Sequence, residues 1–370
     1  MKRFLIALLI FLLIPICAFA QQDEYNELLS SYDLSFFEEQ LDDDTYELLK
    51  ELNLENFDFE NIYSISFDSV LNIIKKTAMG KIDAPLKSML EIISFVLLSA
   101  LFQSLKTGES DLNSVYSTSS ALIISVILVV KISSAITIAT LSIKLAGNFI
   151  FAFIPVFCAI VAAGGGITTS FSTNSTLLIL SQGLSFISSN VFMPIINCFL
   201  AIGICSGLRV ELNLERLINT LKRGITALIS VSCAIFVSIL SIKTTVSARA
   251  DILGIRSLRF VINSVVPVIG GSISEGLLSI QSYSSLIKSS VGIVGIIAVA
   301  LVFMPSIIEI VLWRIMLSLC LLISDIFGDS SVSLVLKAFK DTALLINVVL
   351  ILSMVTTIIS IGILIAARTA

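Results

Sequence analysis

Long apolar segments with few or no charges fill most of the chain after residue 85. About 20 consecutive apolar residues are enough to cross the hydrocarbon core of a bilayer as an α-helix. The composition agrees, because 56% of the residues are apolar and only 14% are charged, against about a quarter charged in soluble domains. The pattern predicts an all-α polytopic membrane protein with seven or eight transmembrane segments. The apolar segments lie at about 88–105, 118–139, 145–163, 176–208, 225–242, 289–308, 309–327 and 342–366.

The first 20 residues have the organisation of a secretory signal peptide. Two basic residues, Lys2 and Arg3, precede the apolar stretch 4–14, and a small-x-small cleavage site ends at Ala20. The alternative is an uncleaved first transmembrane helix, but an apolar stretch of this length is short for a span. We therefore expect residues 1–20 to be removed and the mature N-terminus to lie outside the cytoplasm.

Residues 21–85 differ in character from the rest of the chain, with 16 acidic and four basic residues and a net charge of −12. Leucine, tyrosine and phenylalanine recur there at roughly helical spacing, which predicts short amphipathic helices. Three consecutive aspartates, 42–44, are interpreted as a solvated turn capping the next helix rather than as a cation site. We expect a small helical extracytoplasmic N-terminal module in 21–85, followed by a polytopic transmembrane domain in 86–370 with a net charge of +6.

Paired prolines indicate an internal duplication in the membrane region. The sequence VFMP ends at Pro194 and again at Pro305, and Pro155 and Pro267 are 112 residues apart. These matches predict repeats at 118–223 and 224–340, with chance agreement in a low-complexity apolar sequence as the alternative.

Basic residues leave the orientation of the spans open. One basic cluster lies in 209–223 and another in 243–259, on either side of the apolar segment 225–242. The positive-inside rule would place both clusters in the cytoplasm. Either the segment between them does not cross the membrane or one cluster breaks the rule.

Prolines and glycines interrupt the apolar segments in both halves, a pattern that in transporters points to a binding or permeation site. Backbone groups freed by a broken helix are tolerated at membrane depth only where they face protein or water. Tight helix packing is the alternative, and it is the preferred explanation for Gly203 and Gly207, which have GxxxG spacing. The candidate pore or hinge residues are Pro155, Gly164, Gly165, Gly166, Pro194, Pro267, Gly270, Gly271, Glu275, Lys288 and Pro305.

Two of these candidates are ionisable, and charges near apolar segments are functional candidates because they are costly inside a membrane. Glu275 follows the second Pro/Gly interruption, and Lys288 precedes two further glycines. One hypothesis is that Glu275 and Lys288 pair across a hinge. The alternative is that they are two separately solvated loop charges.

The sequence carries no recognised catalytic or cofactor-binding motif. There is no histidine, which removes Ser-His-Asp triads and imidazole metal sites. No P-loop, Rossmann fingerprint or HExxH motif is present, and the cysteines lack metal-binding spacing. Basic residues without interleaved aromatics give no indication of nucleic-acid binding. We therefore expect a protein that is not an enzyme and has no cofactor or metal, with any transport energy supplied by a partner or an ion gradient.

Two stretches of the sequence resemble the stage III sporulation protein AE family of endospore-forming bacteria. One is FIP followed by AAGGGIT, in residues 153–168. The more specific one contains GIR, VPVIG, SE and LIKSSVGIVG, in residues 254–295. The order of signal, acidic module and polytopic remainder also matches, so that the resemblance covers nearly the whole chain.

The resemblance implies a multi-pass protein of the mother-cell membrane that faces the engulfed forespore. It implies membership of a channel or secretion-like apparatus required for endospore development. One hypothesis is that this chain lines the permeation path. The implied partners are other stage III sporulation membrane proteins, including a ring component and a separate ATPase, and the lipid bilayer. Two alternatives are an independent secondary transporter of a small solute and a pure scaffold.

Overall fold

The computed structural model consists of helices and short turns over the residues it describes, which are 41–54, 65–104, 110–163, 167–208, 215–265 and 270–366. No strand occurs in these ranges, and the expected signal peptide lies outside them. The helices are α1 (Asp43–Glu51), α2 (Phe67–Lys81), α3 (Asp83–Ser104), α4 (Ser110–Ala163), α5 (Ile167–Ile187), α6 (Met193–Leu208), α7 (Glu215–Val265), α8 (Gly270–Phe327) and α9 (Ser330–Ala366). A five-residue π-helical turn, Ser188–Phe192, joins α5 to α6.

Six helical stretches of the described residues are long and apolar enough to cross a membrane. They lie in α3, α4, α5–α6, α7, α8 and α9, which confirms the all-α polytopic architecture. The eight apolar segments correspond to six stretches because 118–139 continues into 145–163 within α4, and 289–308 continues into 309–327 within α8. Lys144, which separates the first pair, is a good helix former and does not stop the helix.

Three prolines that were candidate hinges lie within continuous helical paths. Pro155 lies inside α4 and Pro305 inside α8, so both helices continue through their prolines. A proline leaves one helical carbonyl unbonded, but neighbouring helices and hydroxyl groups can satisfy that carbonyl in a membrane bundle. Pro194 follows a π-helical turn, in which the Met193 N–H donates to the Ser188 carbonyl. The apolar segment 176–208 therefore follows one continuous helical path through the π-helical turn.

Helices α4, α8 and α9 pack side by side along the bundle. Helix α4 runs antiparallel to α8, because Ser142 Oγ lies 2.6 Å from Ser306 Oγ and Phe153 packs on Gly295, nearer the start of α8. Helices α8 and α9 form a hairpin with a two-residue turn.

Three stacked phenylalanines of α4 fill the contact between α4 and α8. Phe149, Phe153 and Phe157 are almost fully buried, with successive ring centroids 5.5 and 5.3 Å apart. Two glycines of α8 make room for the rings, since a Cβ on Gly295 would lie 2.6 Å from the Phe153 ring and one on Gly292 would lie 3.2 Å from the Phe157 ring. This contact is close-packed and apolar.

Gly203 and Gly207 let α6 approach α9 closely. A Cβ on Gly203 would lie 2.5 Å from Ala338 Cβ. A Cβ on Gly207 would lie 3.0 Å from the Val335 backbone nitrogen and 3.1 Å from the Ser331 carbonyl oxygen. The packing role expected from the GxxxG spacing is confirmed.

The N-terminal helices pack against α8, and α1 and α2 confirm the expected amphipathic helices. Leu49 of α1 and Ile73 of α2 are buried and belong to the same hydrophobic core as the long helices. The Glu51 carboxylate accepts a hydrogen bond from Lys76, and this bond and the negative charge raise the pKa of the Lys76 ammonium group. Lys81 Nζ, at the end of α2, lies 3.5 Å from Glu309 Oε2 of α8. The domain boundary at residue 85 and the extracytoplasmic location stay predictions.

Candidate functional site

A buried carboxylate joins several helices at one end of the bundle. Asp329, which is 2% exposed, accepts hydrogen bonds from Ser99 Oγ of α3 at 2.8 Å and from Ser117 Oγ of α4. Its Oδ1 also accepts from the Val332 N–H at 3.3 Å, which caps the first turn of α9. Gly328, with a φ of 75°, makes the tight turn out of α8. Asp329 therefore ties α3 and α4 to the tip of the α8–α9 hairpin.

An open cleft lies beside this carboxylate at the hairpin tip, with a volume of about 560 Å³. Its lining carries both signs of charge, from Asp325 and Asp329 and from Lys337 and Lys340. In the part of the chain that the structure describes, no three histidine, cysteine, aspartate or glutamate side chains form a metal-ion cluster. Mixed charge of this kind suits contact with a polar protein segment.

An ion pair joins α7 to α9 near the same end. Lys222 Nζ lies 2.7 Å from Asp341 Oδ1, and the Asp341 side chain is 8% exposed. Leaving a buried carboxylate without its partner is strongly destabilising. The ion pair therefore fixes the axial position of α7 relative to α9.

A set of polar side chains runs between α4, α5, α8 and α9 among apolar neighbours. Gln182 Nε2 donates to the Gly147 carbonyl at 3.0 Å, and Ser185 Oγ donates to the Ile143 carbonyl at 3.2 Å. We name this set the polar seam. It comprises Ser142, Ser181, Gln182, Ser185, Ser188, Ser306, Ser353 and Thr357.

The polar seam encloses a small cavity of about 20 Å³, lined by Ser181, Ser185, Ser353 and Thr357 together with apolar residues. The Ser181 hydroxyl is buried and has no hydrogen-bond partner within the described residues. A polar cavity of this size can hold one water molecule. The seam is thus a small wettable region inside an apolar bundle.

The π-helical turn contributes directly to the polar seam. Ser353 Oγ of α9 donates to Ser188 Oγ, the first residue of the turn, at 3.2 Å. Single π-helical turns are rare and occur frequently at functional sites. The seam and the turn together are the candidate functional site.

Comparison with known proteins places the chain in a family. The family model described as stage III sporulation protein AE matches residues 52–368. The chain belongs to the stage III sporulation protein AE family. The stage III sporulation protein AE of Bacillus subtilis (strain 168) is 27% identical over 162 residues, which are 44% of this chain and 41% of the relative. The match thus spans about two-fifths of the length of that curated relative. No solved structure matches the chain.

Membership of the stage III sporulation protein AE family gives the function at a coarse level. Together with the six apolar helical stretches, it makes this chain a sporulation-related, multi-pass membrane protein.

The pore or hinge residues predicted for this family member lie at separate places in the bundle. Pro155 and Pro194 are exposed, and Pro305 is half-buried. Gly270 and Gly271 are the first residues of α8. A role of these residues in a pore or hinge stays a prediction. The candidates outside the described residues are Gly164, Gly165, Gly166 and Pro267.

The predicted pairing of Glu275 with Lys288 is wrong. Helix α8 is continuous across both residues, and 13 residues of α-helix separate them by about 20 Å, which is beyond the reach of an ion pair. The alternative of two solvated loop charges is also wrong, because both residues are helical and Lys288 is 3% exposed.

Sequence reasoning missed Asp329, Asp341 and the polar seam. Asp329 had a signal, because a glycine followed by aspartate and two serines is typical of a helix stop followed by an N-cap. No sequence pattern indicated a role for Asp341 or for the polar seam. Serine is common in membrane helices, and its burial depends on the register of neighbouring helices.

Proposed function

We propose that this chain is an integral membrane component of a channel or secretion-like apparatus that links the mother cell to the engulfed forespore. It would lie in the mother-cell membrane and be required for endospore development. The family match over residues 52–368 supports the sporulation role. The observation that carries the transport role is the polar seam, because hydroxyl groups between apolar helices provide partners for water where an apolar contact provides none.

The polar seam is where we place the permeation path. The stacked phenylalanines fill the neighbouring contact between α4 and α8, so that contact offers no route. Separation of α5 from α9 at the π-helical turn would exchange hydroxyl contacts for contacts with water, at a small cost in free energy. The path would open at Ser188 and Ser353.

Removing hydroxyl groups while preserving side-chain volume tests the path. We expect the double variant Ser353→Ala/Thr357→Val to reduce spore yield and expression of a forespore reporter severalfold at an unchanged protein level, because the seam loses its partners for water. The control is Thr137→Val, which removes an exposed hydroxyl that bonds only within its own helix. Normal sporulation of the double variant would contradict the path and favour the alternative in which the chain is a pure scaffold.

The proposed partners are a ring component and a separate ATPase. No P-loop occurs in the chain, so a partner would supply the ATP hydrolysis. The acidic region before residue 86 would face the intermembrane space. Its exposed side chains, among them Asp43, Asp44 and Glu47 of α1, can meet a basic surface on the ring.

Neutralising these three side chains tests the contact with the ring. We expect the full-length variant Asp43→Asn/Asp44→Asn/Glu47→Gln to accumulate normally in sporulating cells and to lose most of the co-purifying ring component. Glu91→Gln, which neutralises an exposed acid of α3, serves as the control and should retain the ring. Undiminished recovery of the ring with the triple variant would contradict the docking role of α1.

A second candidate function is independent secondary transport of a small solute, which the cavity at the polar seam favours. Reconstitution of the purified chain separates the two functions. Gradient-driven uptake by the chain alone would support the transporter. Inactivity of the chain alone, with stable co-purification of the ring and the ATPase, would support the channel component.

A further inference from the structure

A layer without charged side chains crosses the bundle. We name it the charge-free layer, and it consists of residues 145–163 of α4, 224–242 of α7, 289–308 of α8 and 342–366 of α9, none of which is acidic or basic. As α-helix, three of these runs are about 30 Å long and the run of α9 is about 38 Å long. The hydrocarbon core of a bilayer is also about 30 Å thick.

Side-chain contacts align the four runs in pairs. Phe157 of α4 lies against Gly292 of α8, and Ile365 of α9 meets the same glycine. Nearer the α8–α9 turn, the ion pair of Lys222 with Asp341 joins the residues next to the runs of α7 and α9. The four runs therefore overlap in height, although their ends toward the turn are staggered along the bundle by about 10 Å or more.

The same helices continue beyond the charge-free layer toward the α8–α9 turn. We name this part the charged layer, and it consists of 110–144 of α4, 309–327 of α8, 330–341 of α9, the whole of α3, and α6, which has no charged residue and packs on Val335 and Ala338 of α9. Two contacts place α3 there. Cys320 Sγ lies 3.9 Å from the Met89 carbonyl oxygen, and Ser99 reaches Asp329 beyond the end of α8.

The two layers together are too long for one bilayer. From Gly292 to Asp329 the path along α8 is about 55 Å, whereas the hydrocarbon core is about 30 Å thick. Helices of this length would need a tilt of about 60° to remain within the core, and transmembrane helices tilt by roughly 0–40°. One layer must lie outside the lipid.

Exposed charged side chains indicate which of the two layers lies outside the lipid. Glu91 of α3, Lys131 of α4 and Arg314 of α8 are all exposed in the charged layer, and ionised side chains facing acyl chains are strongly disfavoured. The charge-free layer has no charged side chain and presents exposed apolar side chains such as Phe151 and Ile235. These side chains contact acyl chains without a penalty.

We propose that the bilayer covers only the charge-free layer and that the charged layer, including all of α3, stands outside the membrane. Helices α4, α5, α7, α8 and α9 cross the bilayer, and α3 does not, despite its apolar composition. The ion pair of Lys81 with Glu309 marks the boundary at the level of the lipid headgroups. This placement is independent of the channel role, because it rests on helix register and charge alone.

Basic residues give the direction of crossing. The cluster in 243–259 follows the charge-free run of α7 and lies at the end of the bundle away from the charged layer. The positive-inside rule assigns that end to the cytoplasm, so α1–α3 and the charged layer lie outside it. The opposing cluster in 209–223 is offset by acidic residues, since Lys222 pairs with Asp341 and Asp329 lies at the same end.

Lipid quenching of single tryptophans tests the placement. The native tryptophan, Trp313, is replaced by phenylalanine in the full-length chain, and one tryptophan is introduced at an exposed apolar position before reconstitution into vesicles of brominated phospholipid. We expect Phe151→Trp, in the charge-free layer, to lose most of its fluorescence. We expect Val130→Trp, on the same helix but in the charged layer, to keep most of it. Both positions are more than half exposed, at 57% and 67%.

A second matched pair addresses α3 directly and covers the case in which one variant fails to fold. Ile235→Trp on α7 should be quenched as strongly as Phe151→Trp, and Leu97→Trp on α3 should resemble Val130→Trp. Both side chains are exposed. Strong quenching of Leu97→Trp or Val130→Trp would overturn the proposal, because it would place the charged layer in contact with acyl chains.

Discussion

Substituting Asp329 by alanine is expected to lower the free energy of unfolding by roughly 3 kcal/mol, from the loss of an N-cap and of two hydrogen bonds to a charged acceptor. The carboxylate is 2% exposed and accepts bonds from Ser99, Ser117 and the Val332 N–H. Alanine leaves two hydroxyl groups and the first turn of α9 without this acceptor. An effect of this size is a large fraction of the stability of most proteins.

Unfolding of the purified chain in detergent can be followed by the fluorescence of Trp313, which is buried in α8. The matched control is Asp325→Ala, because Asp325 lines the same cleft but is exposed. We expect the control to change the unfolding free energy by less than about 0.5 kcal/mol. Equal stability of Asp329→Ala and Asp325→Ala would show that the junction at Asp329 does not hold α3 and α4 to the hairpin.

Enlarging Gly207 is also expected to destabilise the folded chain. A Cβ at this position meets the backbone of α9, at 3.0 Å from the Val335 nitrogen and 3.1 Å from the Ser331 oxygen. Backbone cannot move aside as a flexible side chain can, so we expect Gly207→Ala to cost roughly 1–3 kcal/mol. A larger residue, as in Gly207→Leu, should prevent accumulation of the folded chain in the membrane.

The control for Gly207 is Gly224→Ala in α7, where an added Cβ has no neighbour within 4 Å. That substitution should raise stability by up to about 1 kcal/mol, because alanine favours a helix over glycine. Thermal unfolding and the amount of protein in the membrane measure both variants. If Gly207→Ala proved as stable as Gly224→Ala, α6 and α9 would not approach as closely as the structure shows.

Hydropathy predicted the helices well and their ends less well. Over the described residues, the apolar segments found in the sequence lie in helices, because an uncharged run of that length has few other stable states in a membrane protein. Hydropathy did not locate the helix ends where a proline or a charged residue interrupts the apolar pattern. Pro155 and Pro305 lie inside helices, since neighbouring helices compensate for a missing hydrogen bond and local composition does not reveal those neighbours.

The candidate site was harder to predict than the fold. The prolines and glycines drew attention as hinges, yet the polar seam consists of serines, threonine and glutamine spread over four helices. No spacing within one segment relates Ser142 to Ser306 or Ser188 to Ser353. These serines come into contact only because of the axial register between their helices. Many contacts between helices determine that register jointly.

The sequence by itself determined the all-α membrane architecture, the acidic N-terminal region, the close contact at Gly203 and Gly207 and the family, because each follows from composition or local pattern. Only the tertiary structure decided that α3 lies beside the charged end of α8 and that Asp329 and Asp341 are buried. It also showed that charge-free runs from four helices overlap in height. The physical reason is that register between helices is a property of side-chain packing between distant segments, which no local pattern contains.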